Sequence, residues 1–93
     1  IYGDLFHGDQ RPPPYKAYDR DERVLMCGSF SKSVTPGIRV GYIIPGGRWQ
    51  RQVEHLKFTS NIACPGILQA AVAELLASGG FDRHLRRLRP LYA

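Results

Sequence analysis

Two apolar segments on either side of a short polar run place the strongest constraint on the fold of this chain. Residues 24–27 are apolar throughout and residues 38–44 are rich in β-branched side chains, so both segments predict β-strands. Pro36 and Gly37 lie between them and predict a type II turn, because Pro presets φ and Gly accepts a positive φ. The pattern therefore predicts a strand, a loop that carries Lys32, and a second strand that carries Arg39.

The polar run contains the residue types that a phosphorylated aldehyde requires. A lysine amine can form a Schiff base with an aldehyde. An arginine can hold a phosphate through two hydrogen bonds, and serine hydroxyls can complete the site. A surface lysine on a polar loop is the simpler interpretation of Lys32 taken alone. The combination of Ser29, Ser31 and Lys32 with Pro-Gly and Arg39 favours the cofactor interpretation.

The same residues carry a family resemblance. Ser-Phe-Ser-Lys at residues 29–32, followed by Pro-Gly-Ile-Arg-Val-Gly-Tyr at 36–42, resembles the cofactor segment of class I/II aminotransferases, which belong to the fold-type I pyridoxal-phosphate group. Arg-Pro-Pro-Pro at residues 11–14 and the closing segment 81–89 resemble the aminotransferase-like half of MocR-type transcriptional regulators of the GntR superfamily. In such regulators a winged-helix DNA-binding domain precedes the aminotransferase-like domain.

The resemblance implies an α/β fold that forms part of the large domain of pyridoxal-phosphate-dependent transferases. This domain has a mostly parallel sheet, one antiparallel strand that would carry Arg39, and flanking helices. Residues 1–93 would then be one partial domain, truncated at both ends and lacking the winged-helix domain. Because so few strands are present, we expect an exposed sheet edge and exposed apolar surface.

The spacing of apolar residues predicts three helices after the strands. The first covers residues 48–60 and the second residues 66–77, where Gly79 and Gly80 stop it. The third opens at Phe81, and Pro90 is expected to disturb it near its end.

The resemblance also implies site residues. Lys32 would form the covalent bond to pyridoxal 5'-phosphate and act in catalysis. Arg39 and Ser29, assisted by Ser31, would bind the phosphate, and Tyr2 would contact the ring hydroxyl. The aspartate that pairs with the pyridine nitrogen in the family would precede Ile1. Across a homodimer, a phosphate contact from the neighbouring subunit is implied for Ser60 and Asn61, although polar capping between helices is at least as good an interpretation.

Three functions follow from these observations. The first is a pyridoxal-phosphate-binding, aminotransferase-like domain of a GntR/MocR-type regulator, whose effector is an amino acid or amine and whose DNA contacts come from a domain outside this chain. The second is a class I/II aminotransferase acting on an amino acid, in which case residues 1–93 alone are expected to be inactive. The third is a small basic nucleic-acid-binding module that uses the arginines of the C-terminal end, namely Arg83, Arg86, Arg87 and Arg89.

Composition narrows the class of protein further. The formal net charge is +5 and hydrophobic residues make up 43% of the chain, which permits a packed core. No apolar run approaches the roughly 20 residues that a membrane span needs, so we expect a cytoplasmic location without membrane contact. The histidines are scattered and predict no zinc site. Cys27 and Cys64 have no metal-ligand spacing and are expected to be buried thiols.

Overall fold

The computed structural model describes residues 2–92, which form an antiparallel strand pair followed by three helices. The strands are β1, Met26–Ser29, and β2, Gly41–Ile44. The helices are α1, Gln50–Asn61, α2, Gly66–Ala77, and α3, Gly80–Tyr92. Short 3-10 turns cover Gly3–Leu5, Tyr15–Tyr18 and Pro36–Ile38.

The strand pair confirms the antiparallel part of the predicted sheet. Met26 faces Ile44 at one end of the ladder, and Ser29 faces Gly41 at the other. β1 is shifted by two residues from the apolar segment that predicted it, and β2 is shorter than its segment because it begins only after Arg39. Within residues 2–92 the sheet contains these two strands alone, so the parallel strands implied by the resemblance remain a prediction.

The connection between the strands differs from the predicted turn. Pro36 opens a 3-10 turn, and the left-handed backbone conformation falls on Arg39 (φ 51°, ψ 39°) rather than on Gly37. The prediction of a type II turn at Pro36-Gly37 is therefore wrong, and so is the placement of Arg39 on the second strand. The physical reason is that Pro fixes a φ that also suits the first position of a 3-10 or α-helical turn, so the chain reverses two residues later.

The small core joins the strand pair to the helices. Its buried hydrophobic residues are Leu5, Phe30, Val72 and Leu85. The Phe30 ring lies 5.5 Å from the Tyr42 ring of β2 and 5.8 Å from the Phe81 ring of α3, measured between centroids. Such tilted and edge-to-face aromatic pairs stabilise beyond the area they bury. They fix the end of β1, where the polar loop begins, against the start of α3.

Large apolar side chains are exposed, which confirms the expectation of exposed apolar surface. Ile67 of α2 is 81% exposed and Leu91 of α3 is 80% exposed. The prediction of buried thiols is wrong, because Cys27 is exposed and Cys64 is only half-buried. A strand pair covered on one face leaves alternate side chains of each strand open to solvent, and Cys27 is one of these.

The helices lie close to their predicted positions. α2 has the predicted bounds, and α1 is displaced by one or two residues at its ends. α3 begins at Gly80, only one residue after the left-handed Gly79 (φ 73°), and it continues through Pro90 to Tyr92. The predicted disturbance at Pro90 does not end the helix.

Gly28 of β1 faces Tyr42 of β2 across the ladder and has a steric role. A Cβ at position 28 would overlap the Tyr42 ring, which already packs against Phe30. We expect Gly28→Ala to displace the ring and to lower the free energy of unfolding by about 1–3 kcal/mol, the usual cost of overpacking. Denaturant unfolding of the full-length protein measures this change. Gly37→Ala is the control, since a Cβ there meets no atom within 4 Å; equal losses in the two variants would contradict the steric explanation.

Asp19 organises the charged loop before β1. Its carboxylate accepts hydrogen bonds from the backbone N–H groups of Val24 and Arg23 and pairs with the Lys16 ammonium at 3.1 Å. These contacts, chiefly the hydrogen bond from the Val24 N–H, lower the pKa of Asp19 from 3.8 to about 2.

The lowered pKa gives a prediction for acid stability. The unfolded chain takes up this proton near pH 3.8, whereas the folded chain resists protonation until about pH 2. The contribution of Asp19 to the free energy of unfolding is therefore fully present above pH 3.8 and is lost as the pH falls towards 2. We expect Asp19→Asn to flatten the acid limb of a plot of unfolding free energy against pH, relative to the wild type. Asp21→Asn, an exposed neighbour, is the control; an unchanged acid limb in Asp19→Asn would contradict the assignment.

Candidate functional site

Lys32 lies on a tight turn that directly follows β1. The backbone N–H of Val34 donates to the Phe30 carbonyl at 2.8 Å, which closes one helix-like turn over residues 30–34. The Phe30 N–H donates to the Val40 carbonyl at 3.0 Å and so ties this turn to the residue before β2. Phe30 points into the core while the Lys32 side chain is exposed. The aromatic packing of Phe30 thus holds a turn that presents the Lys32 amine to solvent.

A cluster of two hydroxyls and a guanidinium lies beside this turn. Nη1 of Arg39 is 3.5 Å from Oγ of Ser31, and the backbone N–H of Ser31 donates to Oγ of Ser29 at 3.1 Å. The left-handed backbone at Arg39 turns the chain immediately before β2. Hydroxyls and a guanidinium supply several hydrogen-bond donors in a small volume, which suits a phosphate or another oxyanion.

The ring of Tyr2 approaches the same turn from the start of the chain. Nζ of Lys32 lies 5.9 Å from the Tyr2 ring centroid, at the outer limit of a cation–π contact. Tyr2 is 60% exposed, so its hydroxyl is accessible. The structure therefore brings together five of the predicted site residues: Tyr2, Ser29, Ser31, Lys32 and Arg39.

A cleft lies next to this cluster. It has a volume of about 690 Å³, and its wall includes Phe30, Tyr42 and Val72. Arg39 lines this cleft, as does Lys57, whereas Lys32 is not among the lining residues. Lys57 therefore shares a cleft with Arg39, and it is the alternative to Lys32 as the reactive amine.

Ser60 and Asn61 lie apart from the cluster, at the end of α1. Oγ of Ser60 donates to the Leu56 carbonyl at 2.6 Å, and Nδ2 of Asn61 lies 3.7 Å from Sγ of Cys64. Neither side chain has a hydrogen bond to the Lys32 turn in the described part of the chain. Their contact with a phosphate across a dimer stays a prediction.

The C-terminal arginines have different surroundings. Nε of Arg89 donates to the Asp4 carbonyl at 2.9 Å, and its guanidinium lies 4.3 Å from the Phe6 ring centroid. Arg89 thus joins α3 to the first residues of the chain. The other three arginines of the group, Arg83, Arg86 and Arg87, are exposed. Only part of the arginine group therefore faces solvent as a basic nucleic-acid-binding surface requires.

The site has features that sequence reasoning missed. Asp4 and Arg11 form an ion pair at 3.0 Å, and both line the cleft together with Arg39. Ser33 is only 1% exposed, although it directly follows an exposed lysine. A helix-like turn places residues i and i+3 on one face, so the spacing of Ser33 from Phe30 would have been the available signal.

Among residues 2–92, no three His, Cys, Asp or Glu side chains are grouped so that they could hold a metal ion. Over the same range, each helix is too short or too polar to cross a bilayer.

Comparison with known proteins identifies relatives of this chain. The family model described as aminotransferase class I and II matches residues 1–89. The uncharacterized HTH-type transcriptional regulators YdcR and YjiR of Escherichia coli (strain K12) are 38% and 39% identical to the chain over 96% and 99% of its length. The uncharacterized aminotransferase SSO0104 of Saccharolobus solfataricus is 31% identical over 98%.

The matched region is a small part of each relative. The chain spans 19% of YdcR, 19% of YjiR and 23% of the aminotransferase, about a fifth of their length. No solved structure gives a significant match.

Proposed function

The chain belongs to the aminotransferase class I and II family, and from this premise we propose that it forms part of a pyridoxal-phosphate-binding, aminotransferase-like domain of a GntR/MocR-type transcriptional regulator. The observation that carries the proposal is the contact of Arg39 with Ser31, one residue before Lys32. This contact supports the proposal because it brings a guanidinium, which can bind an oxyanion, beside the turn that carries an amine.

The residues present fit pyridoxal phosphate. The Arg39 guanidinium, with the hydroxyls of Ser29 and Ser31, would hold the phosphate. The exposed Lys32 amine would form the covalent bond, and the accessible hydroxyl of Tyr2 would contact the ring hydroxyl. When bound, the cofactor supplies an aldehyde carbon for that bond and an electron-withdrawing ring.

Each residue has a distinct task in this proposal. Arg39 would hold the anionic end of the cofactor and so limit the positions of its aldehyde near the turn. Lys32 would supply the amine for the covalent bond to the aldehyde, with water as the leaving group. The Tyr2 ring centroid lies 5.9 Å from Nζ of Lys32, at the outer limit of a cation–π contact.

The kind of protein to which two of the relatives belong supports a regulator first. YdcR and YjiR are both described as HTH-type transcriptional regulators. In a regulator, an amino acid or amine that binds at the cofactor would shift the arrangement of domains, and a separate winged-helix domain would contact DNA. The same proposal includes a larger sheet with parallel strands, a homodimer and a cytoplasmic location.

A working aminotransferase is the second candidate, favoured by the 31% identity with the aminotransferase of S. solfataricus. In an enzyme, Lys32 would also move a proton at the reacting carbon of the amino acid substrate. Release of a keto acid from an amino acid by the full-length protein would favour this candidate. Amino-acid-dependent change in DNA affinity, without keto acid release, would favour the regulator.

Reductive labelling tests the cofactor proposal directly. The full-length protein is incubated with pyridoxal phosphate, reduced with borohydride and digested, and the labelled peptide is identified by mass spectrometry. The chain has three lysines, Lys16, Lys32 and Lys57, which fall on separate segments. We expect the label on Lys32. A label on Lys57 would assign the reactive amine to the cleft instead, and absence of a label would reject the cofactor.

A further inference from the structure

Arg89 of α3 contacts the first residues of the chain in two ways. Its Nε donates a hydrogen bond to the Asp4 carbonyl at 2.9 Å, across 85 positions of sequence. Its guanidinium also lies over the Phe6 ring, 4.3 Å from the ring centroid. Leu85, one turn earlier on α3, is buried in the core. Because the helix is anchored there and the planar guanidinium is held by both contacts, Arg89 fixes residues 4–6 relative to α3.

The residues that Arg89 contacts belong to the turn that follows Tyr2. The Leu5 N–H donates to the Tyr2 carbonyl at 2.9 Å and closes the 3-10 turn Gly3–Leu5. Leu5 is buried, so the turn has an anchor in the core as well. The Tyr2 side chain, by contrast, is 60% exposed. The position of its ring is therefore set mainly by the turn and only weakly by packing around the ring.

Arg11 also contacts this turn, but it does so near solvent. Its Nε donates to the Gly3 carbonyl at 3.3 Å, and its Nη2 pairs with the Asp4 carboxylate at 3.0 Å. Both contacts are made by an exposed side chain, where competition from water leaves an ion pair with little net stabilisation. The hydrogen bond from Arg89 is partly buried and competes with less water. Arg89 is therefore the stronger of the two ties.

We propose that Arg89 is a positioning residue for Tyr2 in the pyridoxal phosphate site. By holding the Asp4 carbonyl, it keeps the Gly3–Leu5 turn in place and the Tyr2 ring beside the Lys32 amine, whose Nζ lies 5.9 Å from the ring centroid. Arg89 acts on the cofactor only through Tyr2. This inference rests on the proposed function, since it concerns the contact between the Tyr2 hydroxyl and the ring hydroxyl of the cofactor.

The test compares Arg89→Ala with Arg86→Ala in the full-length protein. Both changes remove one arginine from α3, but Arg86 is exposed. Tyr2→Phe gives the effect of losing the contact with the cofactor, and the double variant of Arg89→Ala with Tyr2→Phe shows whether both residues act through that contact. Three quantities are measured: the Kd of pyridoxal phosphate, the wavelength of its visible absorbance band, and the thermal midpoint without cofactor.

We expect Tyr2→Phe to raise the Kd about 2- to 10-fold, the range for one net hydrogen bond, and to shift the visible band because the ring hydroxyl loses its partner. Arg89→Ala should raise the Kd by no more than this factor and should shift the band in the same direction. The Kd of the double variant should equal that of Tyr2→Phe, because residues that act through one contact are not additive. Arg86→Ala should leave the Kd and the band at wild-type values.

Arg89→Lys tests the same inference if Arg89→Ala does not fold. Lysine keeps the charge and can donate to the Asp4 carbonyl, but it lacks the planar group that lies over Phe6. We expect a folded protein whose visible band shifts in the same direction as in Tyr2→Phe, by a smaller amount.

Three outcomes would overturn the positioning role. If the folded Arg89 variants have the wild-type Kd and band, whatever their thermal midpoint, Arg89 serves stability alone. If the effects of Arg89→Ala and Tyr2→Phe on the Kd multiply in the double variant, Arg89 acts by another route. If Tyr2→Phe itself changes neither quantity, there is no contact for Arg89 to position, although labelling of Lys32 would stand. A wild-type protein that is not labelled at Lys32 would instead reject the proposed function, so the two failures are distinguished.

Discussion

Replacement of Lys32 by alanine should abolish covalent retention of pyridoxal phosphate by the full-length protein. The exposed Lys32 amine is one residue from Ser31, whose hydroxyl contacts Arg39, so its removal takes away the nucleophile and leaves the proposed phosphate site in place. The visible absorbance band of the bound cofactor should disappear, and borohydride should fix no label. Noncovalent binding through the phosphate should persist at reduced affinity, because the Arg39 contact is untouched.

Lys57→Ala is the matched control for this experiment. Lys57 is exposed and lines the cleft that Arg39 also lines, so it is the amine most able to substitute for Lys32. We expect the Lys57→Ala protein to keep the visible band and the label at Lys32. Loss of the band in Lys57→Ala, with its survival in Lys32→Ala, would show that the reactive amine is in the cleft.

Arg39→Ala should weaken pyridoxal phosphate binding by about 10- to 100-fold, which corresponds to the roughly 1.5–3 kcal/mol of a hydrogen bond to a charged group. The guanidinium lies 3.5 Å from the Ser31 hydroxyl, beside the Lys32 turn. The Kd is measured by absorbance titration of the full-length protein. Arg51→Ala, an exposed change in the first turn of α1, should leave the Kd unchanged.

A comparison of pyridoxal phosphate with unphosphorylated pyridoxal distinguishes the loss of a phosphate contact from a general loss of structure. Unphosphorylated pyridoxal has the same aldehyde but no anionic group. We expect Arg39→Ala to react with pyridoxal at the wild-type rate, while its affinity for the phosphorylated form falls. If both forms lose affinity equally, Arg39 supports the fold of the turn and does not bind the phosphate.

The sequence predicted that these side chains lie close together, because the relevant pattern is local; their role in a site stays a prediction. The run from Ser29 to Arg39 places its hydroxyls, amine and guanidinium within eleven residues, and a reversal between two strands necessarily brings its ends together. The helices were predicted for a similar reason, since the 3.6-residue period of α2 depends on a single continuous segment. Family membership likewise followed from contiguous motifs, and the comparisons confirmed it.

Other features depended on contacts between distant segments, which no local pattern encodes. The left-handed conformation of Arg39 arises where a 3-10 turn meets β2, and the overlap at Gly28 depends on Tyr42 from the facing strand. The link from Arg89 to Asp4 joins residues 85 positions apart and removes one arginine from the basic group.

The local sequence thus determined which chemical groups lie near one another, because chain connectivity keeps close neighbours together. Tertiary packing decided which of these groups face solvent: Phe30 and Ser33 are buried, whereas Lys32 is exposed. Burial depends on which surfaces meet in three dimensions. For that reason only the folded structure showed that Lys32 is exposed while the neighbouring Ser33 is buried.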